Sequence, residues 1–186
     1  ESLWALESEF WIGKDIDKLW LKAEFEKEAD EFEEAELQAL YSKAVAPYWD
    51  LQIGIRHDFK QPKDRDWLVV GFKGLSPYYF EVDTAIFIGE QGRFGARMEA
   101  EYELLLNQQW VLTPEIEINV YAQNDPINNI GSGLSDASLG LRLRYEFVRE
   151  FAVYLGYEHE KAFGNTADYI KAAGEEAESN QWVIGF

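Results

Sequence analysis

Carboxylate side chains recur at every second residue in several stretches of this sequence. Between Tyr78 and Tyr121, three such stretches follow one another, the first carrying Glu81 and Asp83. Acidic residues facing a common space attract cations, because their potentials add. A pair of carboxylates can also serve as acid and base in glycoside hydrolysis. In a chain with 35 Asp and Glu against 17 Lys and Arg, such a pair arises by chance, so we predict cation attraction and no enzymatic activity.

Composition excludes several other functions. The net charge of −18 argues against nucleic acid as a partner, because phosphates require Lys and Arg. The absence of Cys removes disulfides, Cys-ligated metals and thiol catalysis. The sequence contains no Ser/His/Asp pattern, phosphate loop or nucleotide fingerprint. Cations remain the ligands that the composition favours.

The alternating stretches predict long β-strands. Successive side chains of a strand point to opposite faces, so alternation every second residue gives one polar and one apolar face. The stretches run for about 11 to 13 residues, whereas strands of soluble proteins peak at about 5 to 6 and tilted membrane strands need roughly 9 to 11. Mean hydropathy is only −0.35, but alternation conceals the apolar face of a barrel. We therefore predict one all-β domain over residues 1–186, an antiparallel transmembrane β-barrel.

Eleven strands can be placed along the chain, with the region 27–45 open to a helical alternative because it is rich in good helix formers. Single-chain bacterial barrels have even strand numbers, so we expect about 12 strands, the first preceding Glu1, or 10 if the region 27–45 pairs differently. Polar or acidic loops are predicted over 57–66, 123–136 and 161–180. The strands are predicted over 3–13, 19–26, 35–41, 49–56, 68–72, 79–88, 96–104, 114–120, 137–147, 151–158 and 181–186.

The alternation assigns a set of charged side chains to the interior of this barrel. They form either a hydrated, salt-bridged filling or a path that attracts cations. A soluble acidic β-sheet protein, which would purify without detergent, is a further alternative. The predicted lumen-lining residues are Glu7, Glu9, Glu24, Glu26, Glu36, Asp50, Arg56, Glu81, Asp83, Arg97, Glu99, Glu101, Glu103, Glu115, Glu117, Arg142, Arg144 and Glu146.

Aromatic residues lie beside the predicted short turns, among them Tyr48, Tyr78, Trp110 and Tyr145. Trp and Tyr prefer the headgroup level of a bilayer, where an apolar ring and a polar tip are both satisfied. Aromatics also favour strands in general, which would explain their number but not their clustering. The clustering is typical of one aromatic girdle.

Several short motifs resemble the copper resistance protein B family (CopB/PcoB). Their order along nearly the whole chain makes the resemblance specific. The motifs are Leu19-Trp20-Leu21-Lys22, Pro47-Tyr48-Trp49-Asp50-Leu51-Gln52, Arg56-His57-Asp58, Ile130-Gly131-Ser132-Gly133-Leu134-Ser135-Asp136, Leu139-Gly140-Leu141-Arg142-Leu143-Arg144-Tyr145-Glu146 and Phe163-Gly164-Asn165-Thr166-Ala167-Asp168.

The resemblance implies an outer-membrane barrel of Gram-negative bacteria that contributes to copper tolerance by export or sequestration. Its expected partners are outer-membrane lipid, copper ions held weakly or transiently, and periplasmic copper-handling proteins. Family members typically carry a Met- and His-rich segment before the barrel, and none precedes Glu1 in this sequence. An alternative is therefore a structural or porin-like barrel that anchors a separate copper-binding N-terminal segment.

Copper ligands are scarce in the chain itself. Copper(I) prefers thiolate, thioether and imidazole ligands, and copper(II) accepts imidazole and carboxylate. The candidates are His57, His159 and Met98, the two His and the one Met of the sequence. Alternation places Met98 toward lipid and both His at strand ends near the long loops. We therefore expect no tight copper(I) site within the barrel.

Overall fold

The computed structural model describes residues 3–28, 31–60, 63–148 and 151–185, with side chains for 8–25, 35–59, 63–147 and 152–184. The chain is almost entirely β-structure, with one α-helix among the described residues. The strands are β1 (Leu3–Gly13), β2 (Asp17–Glu28), β3 (Glu31–Ala46), β4 (Trp49–Lys60), β5 (Arg65–Leu75), β6 (Phe80–Gly89), β7 (Phe94–Tyr102), β8 (Leu104–Leu105), β9 (Trp110–Tyr121), β10 (Gly133–Val148), β11 (Phe151–Ala162) and β12 (Glu178–Gly185), and the helix is α1 (Gly164–Ala173).

All strands belong to one antiparallel sheet in which each long strand pairs with the next along the chain. The sheet has 12 strands, of which the two-residue β8 pairs only with β9. The other eleven correspond to the eleven predicted strands. Within the described part of the chain, no ladder joins β1 to β12. The strand expected before Glu1 stays a prediction.

The region 27–45 forms a strand and not a helix. β3 pairs with β2 on one side and with β4 on the other. Leu40 and Ser42 are buried whereas Leu37 and Tyr41 are exposed, so the two faces of the strand have different environments. Hydrogen bonding to two neighbours and burial of one face outweigh the helix propensity of Glu, Ala, Leu and Lys. The helical and ten-strand alternatives are therefore wrong.

Three predicted loops are shorter than the alternation suggested. β4 continues to Lys60, so His57 lies within a strand, and β10 already begins at Gly133. The predicted loop over 161–180 contains α1 and the start of β12. Polarity alone does not end a strand, because polar side chains such as Asp58 and Arg65 can be buried and paired in the interior.

The helix α1 is attached to β10 and to the loop before it. The Thr166 hydroxyl accepts a hydrogen bond from the Gly131 amide at 2.8 Å and lies 3.0 Å from the Ser135 hydroxyl, and Thr166 and Ser135 are buried. A Cβ on Gly131 would lie 2.4 Å from the Thr166 amide nitrogen, so only glycine permits this approach. Gly174, in the left-handed region at φ 91°, ends the helix. Among the described helices, none has the length and apolar character needed to span a membrane.

Replacement of Thr166 by Val should loosen α1. Valine keeps the shape of threonine but leaves the buried Gly131 amide without its acceptor, which costs about 1–3 kcal/mol. We expect faster cleavage of residues 163–177 by a broad-specificity protease, while the barrel core resists as in the wild type. Lys171→Gln, an exposed change on the same helix, is the control. Equal cleavage rates for the Thr166 variant and the wild type would contradict the assigned anchor.

The two faces of the sheet differ in chemistry, and the inner face is not wholly polar. Leu40, Trp67, Val69 and Phe87 form a buried cluster on β3, β5 and β6, each at most 5% exposed. On the outer face, large apolar residues are widely exposed, and aromatic pairs such as Trp110 with Tyr145 have ring centroids 4.7 Å apart. The interior is therefore partly filled by apolar packing.

Candidate functional site

Ion pairs between distant strands show that the sheet curves around a common interior. Lys22 on β2 binds Asp83 on β6 at 2.9 Å. Lys73 on β5 lies 3.7 Å from Glu9 on β1. Strands this far apart in the sheet order can meet only across the concave face. The charged residues that alternate with the apolar outer residues therefore share one enclosed space.

Six carboxylates on the adjacent strands β6, β7 and β9 form two neighbouring rows on the inner face of the sheet. Register places like charges directly opposite one another, an arrangement that destabilises a sheet unless cations compensate it. We call these the carboxylate rows: Glu81, Glu101 and Glu115 in one, and Asp83, Glu99 and Glu117 in the other.

Basic residues compensate only part of the carboxylate rows. Asp83 is paired with Lys22, Glu115 with Arg142 at 3.2 Å, and Glu117 with Arg97 at 3.2 Å. Among the residues whose side chains are described, no Lys or Arg forms a salt bridge with the other three acids, which are Glu81, Glu99 and Glu101. These three acids are therefore the part of the rows that no described salt bridge neutralises.

A buried ion-pair network crosses the interior beside these rows. Glu36 on β3 forms an ion pair with Arg56 at 2.8 Å and accepts a hydrogen bond from Arg97 at 3.0 Å. Arg97 also donates to Asn119 at 3.1 Å. The guanidinium carbons of Arg56 and Arg97 lie 4.7 and 5.7 Å from the ring centroid of Phe87. We call Glu36, Arg56 and Arg97 the central network, and it links opposite sides of the interior.

One cavity in the interior is small and polar. A cavity of about 120 Å³ is lined by acids of the carboxylate rows together with Glu36, Arg97 and Arg142. That volume corresponds to roughly four waters at liquid density. Glu36 and Arg97 of the central network form part of the cavity wall.

At the long-loop end, the segment 122–132 is fastened to the inner face of β5. Arg65 donates two hydrogen bonds to Asp125, at 2.9 and 2.6 Å, and both side chains are at most 5% exposed. Asn128 donates to the Lys63 carbonyl at 3.1 Å. Because Arg65 is in phase with the inward Trp67 and Val69, this segment folds over the end of the interior.

The structure places the predicted lumen-lining residues as follows. Those that line the cavity are Glu9, Glu24, Glu36, Arg97, Glu99, Glu115, Glu117 and Arg142. Asp83 lies in its carboxylate row, paired with Lys22. Arg144 binds Glu103 at 2.8 Å and Glu146 at 3.2 Å toward the short-turn end. Asp50 lies 3.9 Å from Lys18 in the same region. The side chains of Glu7 and Glu26 lie outside the described residues.

The three candidate copper ligands lie on the outer face of separate strands. His57 is on β4 and contacts Asp66 at 2.6 Å, and His159 is on β11 and contacts Asn180 at 2.9 Å. Met98, on β7, is 49% exposed. Within the side chains that the structure describes, no group of three or more His, Asp or Glu could hold a metal ion. The role of these residues as ligands stays a prediction.

Several interior residues were not predicted from the sequence. Asp58 receives hydrogen bonds from Arg56 and Trp67, and it lies in the segment that was interpreted as a loop. Asp125 lies in another predicted loop. The sequence did contain a signal that Arg65 faces inward, because Arg65 alternates with Trp67 and Val69. Alternation cannot show, however, that its partner is a loop residue, Asp125.

An antiparallel sheet with an acidic inner face and an apolar outer face defines a porin-like β-barrel. A solved structure, the NanC porin, superposes with a TM-score of 0.66 over 98% of this chain and 91% of its own, at 11% identity. At this identity the likeness shows the fold alone, and it confirms the predicted architecture.

The chain belongs to the copper resistance protein B family. The family model described as "Copper resistance protein B precursor (CopB)" matches residues 1–186. Copper resistance protein B of Escherichia coli is 44% identical over 98% of this chain, and a copper resistance protein B homolog of Pseudomonas syringae pv. tomato is 42% identical over 94%. The matched regions span 61% and 60% of those relatives. The family is the one that the sequence motifs predicted.

Proposed function

We propose that the chain forms an outer-membrane barrel that supports copper tolerance by drawing cations into its acidic interior and conducting them through it. The carboxylate rows carry this proposal, because three of their six acids form no salt bridge with a described basic side chain. Excess carboxylate charge in a low-dielectric enclosure raises the local concentration of cations. Carboxylates are acceptable ligands for copper(II) but poor ones for copper(I). Copper ions would therefore be held only weakly and transiently, which allows them to move through the interior.

Conduction would proceed by exchange at the central network. Arg97 occupies the carboxylates Glu36 and Glu117 as a fixed cation. A mobile cation arriving at the carboxylate rows would compete with the guanidinium group for these oxygens. Displacement of Arg97 would open the narrow cross-section, and its return would close the interior behind the ion.

A second candidate function is a filled barrel that anchors a copper-binding segment. The apolar cluster of Leu40, Trp67, Val69 and Phe87 favours it, because a dry, packed interior resists ion passage. In this case other parts of the protein would bind copper, which is the alternative that the family resemblance leaves open.

Planar-bilayer conductance separates the two functions. We expect cation-selective openings from the purified barrel, altered by copper(II), and a loss of selectivity when Glu99 and Glu101 are both replaced by Gln. Asp168→Asn, an exposed change on α1, removes a charge without touching the interior and should leave selectivity unchanged. A silent bilayer with insertion verified separately would contradict conduction and support the anchor.

A further inference from the structure

The interior of the barrel has an apolar side and a polar side. The apolar cluster lies on β3, β5 and β6, and Ala85 and Tyr121 pack against it. The polar cavity lies elsewhere, because its lining comes from β1 to β3, β7 and β9 to β12, and no described side chain of β4, β5 or β6 reaches it. We call its residues on the last three strands the β10–β12 wall: Arg142, Tyr154, Glu158, Gln181 and Val183.

Solvent reaches the two sides to different degrees. On the apolar side, Gln52, Arg56 and Val69 are buried. All residues of the β10–β12 wall are half-buried, and the side chain of Arg142 is 33% exposed. An ion needs water or charged groups around it, because transfer of a charge into a dry apolar interior is costly. The side of the β10–β12 wall therefore offers the less costly route through the interior.

Gly140 leaves room beside the β10–β12 wall that backbone packing does not require. On the apolar side, Gly54 must be glycine, because a Cβ there would lie 1.9 Å from the Ala39 carbonyl oxygen. At Gly140, the atom nearest to an added Cβ is the Cβ of Glu115 at 3.4 Å, an ordinary contact. A glycine inside a strand weakens the strand and often marks a place where a ligand approaches the backbone. The room over Gly140 lies between Glu115 and Glu158, which are its partners on the two neighbouring strands.

The central network separates the two sides. The guanidinium group of Arg97 lies over the ring of Phe87 in the apolar cluster, and Arg97 also lines the polar cavity. Glu36 lines the same cavity and binds Arg56, which is buried on the apolar side. A movement of Arg97 would therefore widen the polar side and leave the packing of Leu40, Trp67 and Val69 in place.

These observations assign a route to the conduction proposed above. We propose that cations cross the interior along the β10–β12 wall, over Gly140 and between Glu115 and Glu158, while the apolar side stays closed. The inference rests on the proposed function and specifies its path. Gly140 is then a residue that determines the width of the passage, and Arg97 is the movable side chain at its border.

Single-cysteine variants test the route, because the chain contains no Cys. Gly140→Cys and Gln181→Cys should react with a methanethiosulfonate reagent that carries a trimethylammonium group, and the barrel should then lose most of its conductance in a planar bilayer. Compared with a free thiol, Gly140→Cys should favour this cationic reagent over a sulfonate of similar size by at least about tenfold, since an acidic lining concentrates cations. Ala85→Cys is the matched control, because Ala85 is also small and half-buried but packs against the apolar cluster. It should stay unmodified and keep its conductance.

The mass of the intact chain measures modification separately from conductance, and heat-modified migration on gels verifies folding. Gln181→Cys keeps the test decisive if Gly140→Cys does not fold. Openings that survive complete modification of the wall variants, or that disappear when Ala85→Cys is modified, would overturn the route and leave conduction standing. A silent bilayer with the wild type would instead overturn the proposed function, and the route with it.

Discussion

Replacement of Arg97 by Gln should lower the free energy of unfolding by about 3–5 kcal/mol, the cost of removing one partner of a buried ion pair. Arg97 holds Glu36, which is 7% exposed and lies across the interior on β3, and Glu117 on the adjacent strand β9. Without the guanidinium group, Glu117 loses its salt bridge with Arg97, and Glu36 retains the ion pair with Arg56 and the hydrogen bond from Gln38. Urea titration of the barrel in lipid vesicles measures the loss.

The same variant should raise the conductance of the barrel, because the side chain that blocks the cross-section is shortened and uncharged. Arg144→Gln is the matched control: Arg144 also faces the interior and binds two glutamates, but its side chain is 36% exposed. We expect it to cost less than about 1 kcal/mol. If both variants were equally stable and equally conductive, the central network would not be the constriction.

A double variant tests whether Arg97 acts through Glu36. Residues in one ion-pair network are coupled, so the effects of Glu36→Gln and Arg97→Gln should not add. We expect the double variant to be more stable than the sum of the two single losses predicts. Strict additivity would mean that the two side chains stabilise the barrel independently.

Replacement of Asp125 by Ala should release the segment 122–132 from the end of the interior. Arg65, 3% exposed, would remain buried without its carboxylate, at a cost of about 3–5 kcal/mol. A loss of this size raises the population of the open segment at least about a hundredfold, since each 1.4 kcal/mol is a factor of ten. Cleavage by a broad-specificity protease within 122–132 measures this opening.

Asp64→Asn is the control for this anchor. Asp64 is the exposed neighbour of Arg65, and Arg65 contacts only its main-chain carbonyl. The control should be cleaved as slowly as the wild type, and Arg65→Met should be cleaved as fast as Asp125→Ala. A protease-resistant Asp125 variant would show that Asn128 and the other loop contacts suffice to hold the segment.

Alternation in the sequence was sufficient to predict eleven long strands and their outward and inward faces. This pattern is local, because neighbouring side chains of a strand must point to opposite sides whatever the strand pairs with. Alternation also predicted correctly that Met98 faces outward. At 27–45 alternation predicted the strand but left a helical alternative open, because the hydrogen-bonded neighbours that stabilise β3 are not visible in local composition.

The extents of the loops depended on contacts that the sequence does not display. The segment 161–180 is polar and acidic, yet it holds a helix because Thr166 finds buried partners in Gly131 and Ser135. The segment 122–132 is fixed by Arg65, some 60 residues earlier in the chain. Local composition gives no sign of either contact.

The sequence by itself determined the family, the strand order and the acidic character of the interior, since short motifs, alternation and charge are read along the chain. Only the tertiary structure decided which acids are neutralised, which of them meet in the carboxylate rows, and that Glu36 joins Arg56 to Arg97. Strand register and the curvature of the sheet set those distances. The physical reason is that Coulomb interactions depend on separation in space, and residues 36 and 97 are brought to 3.0 Å only by folding.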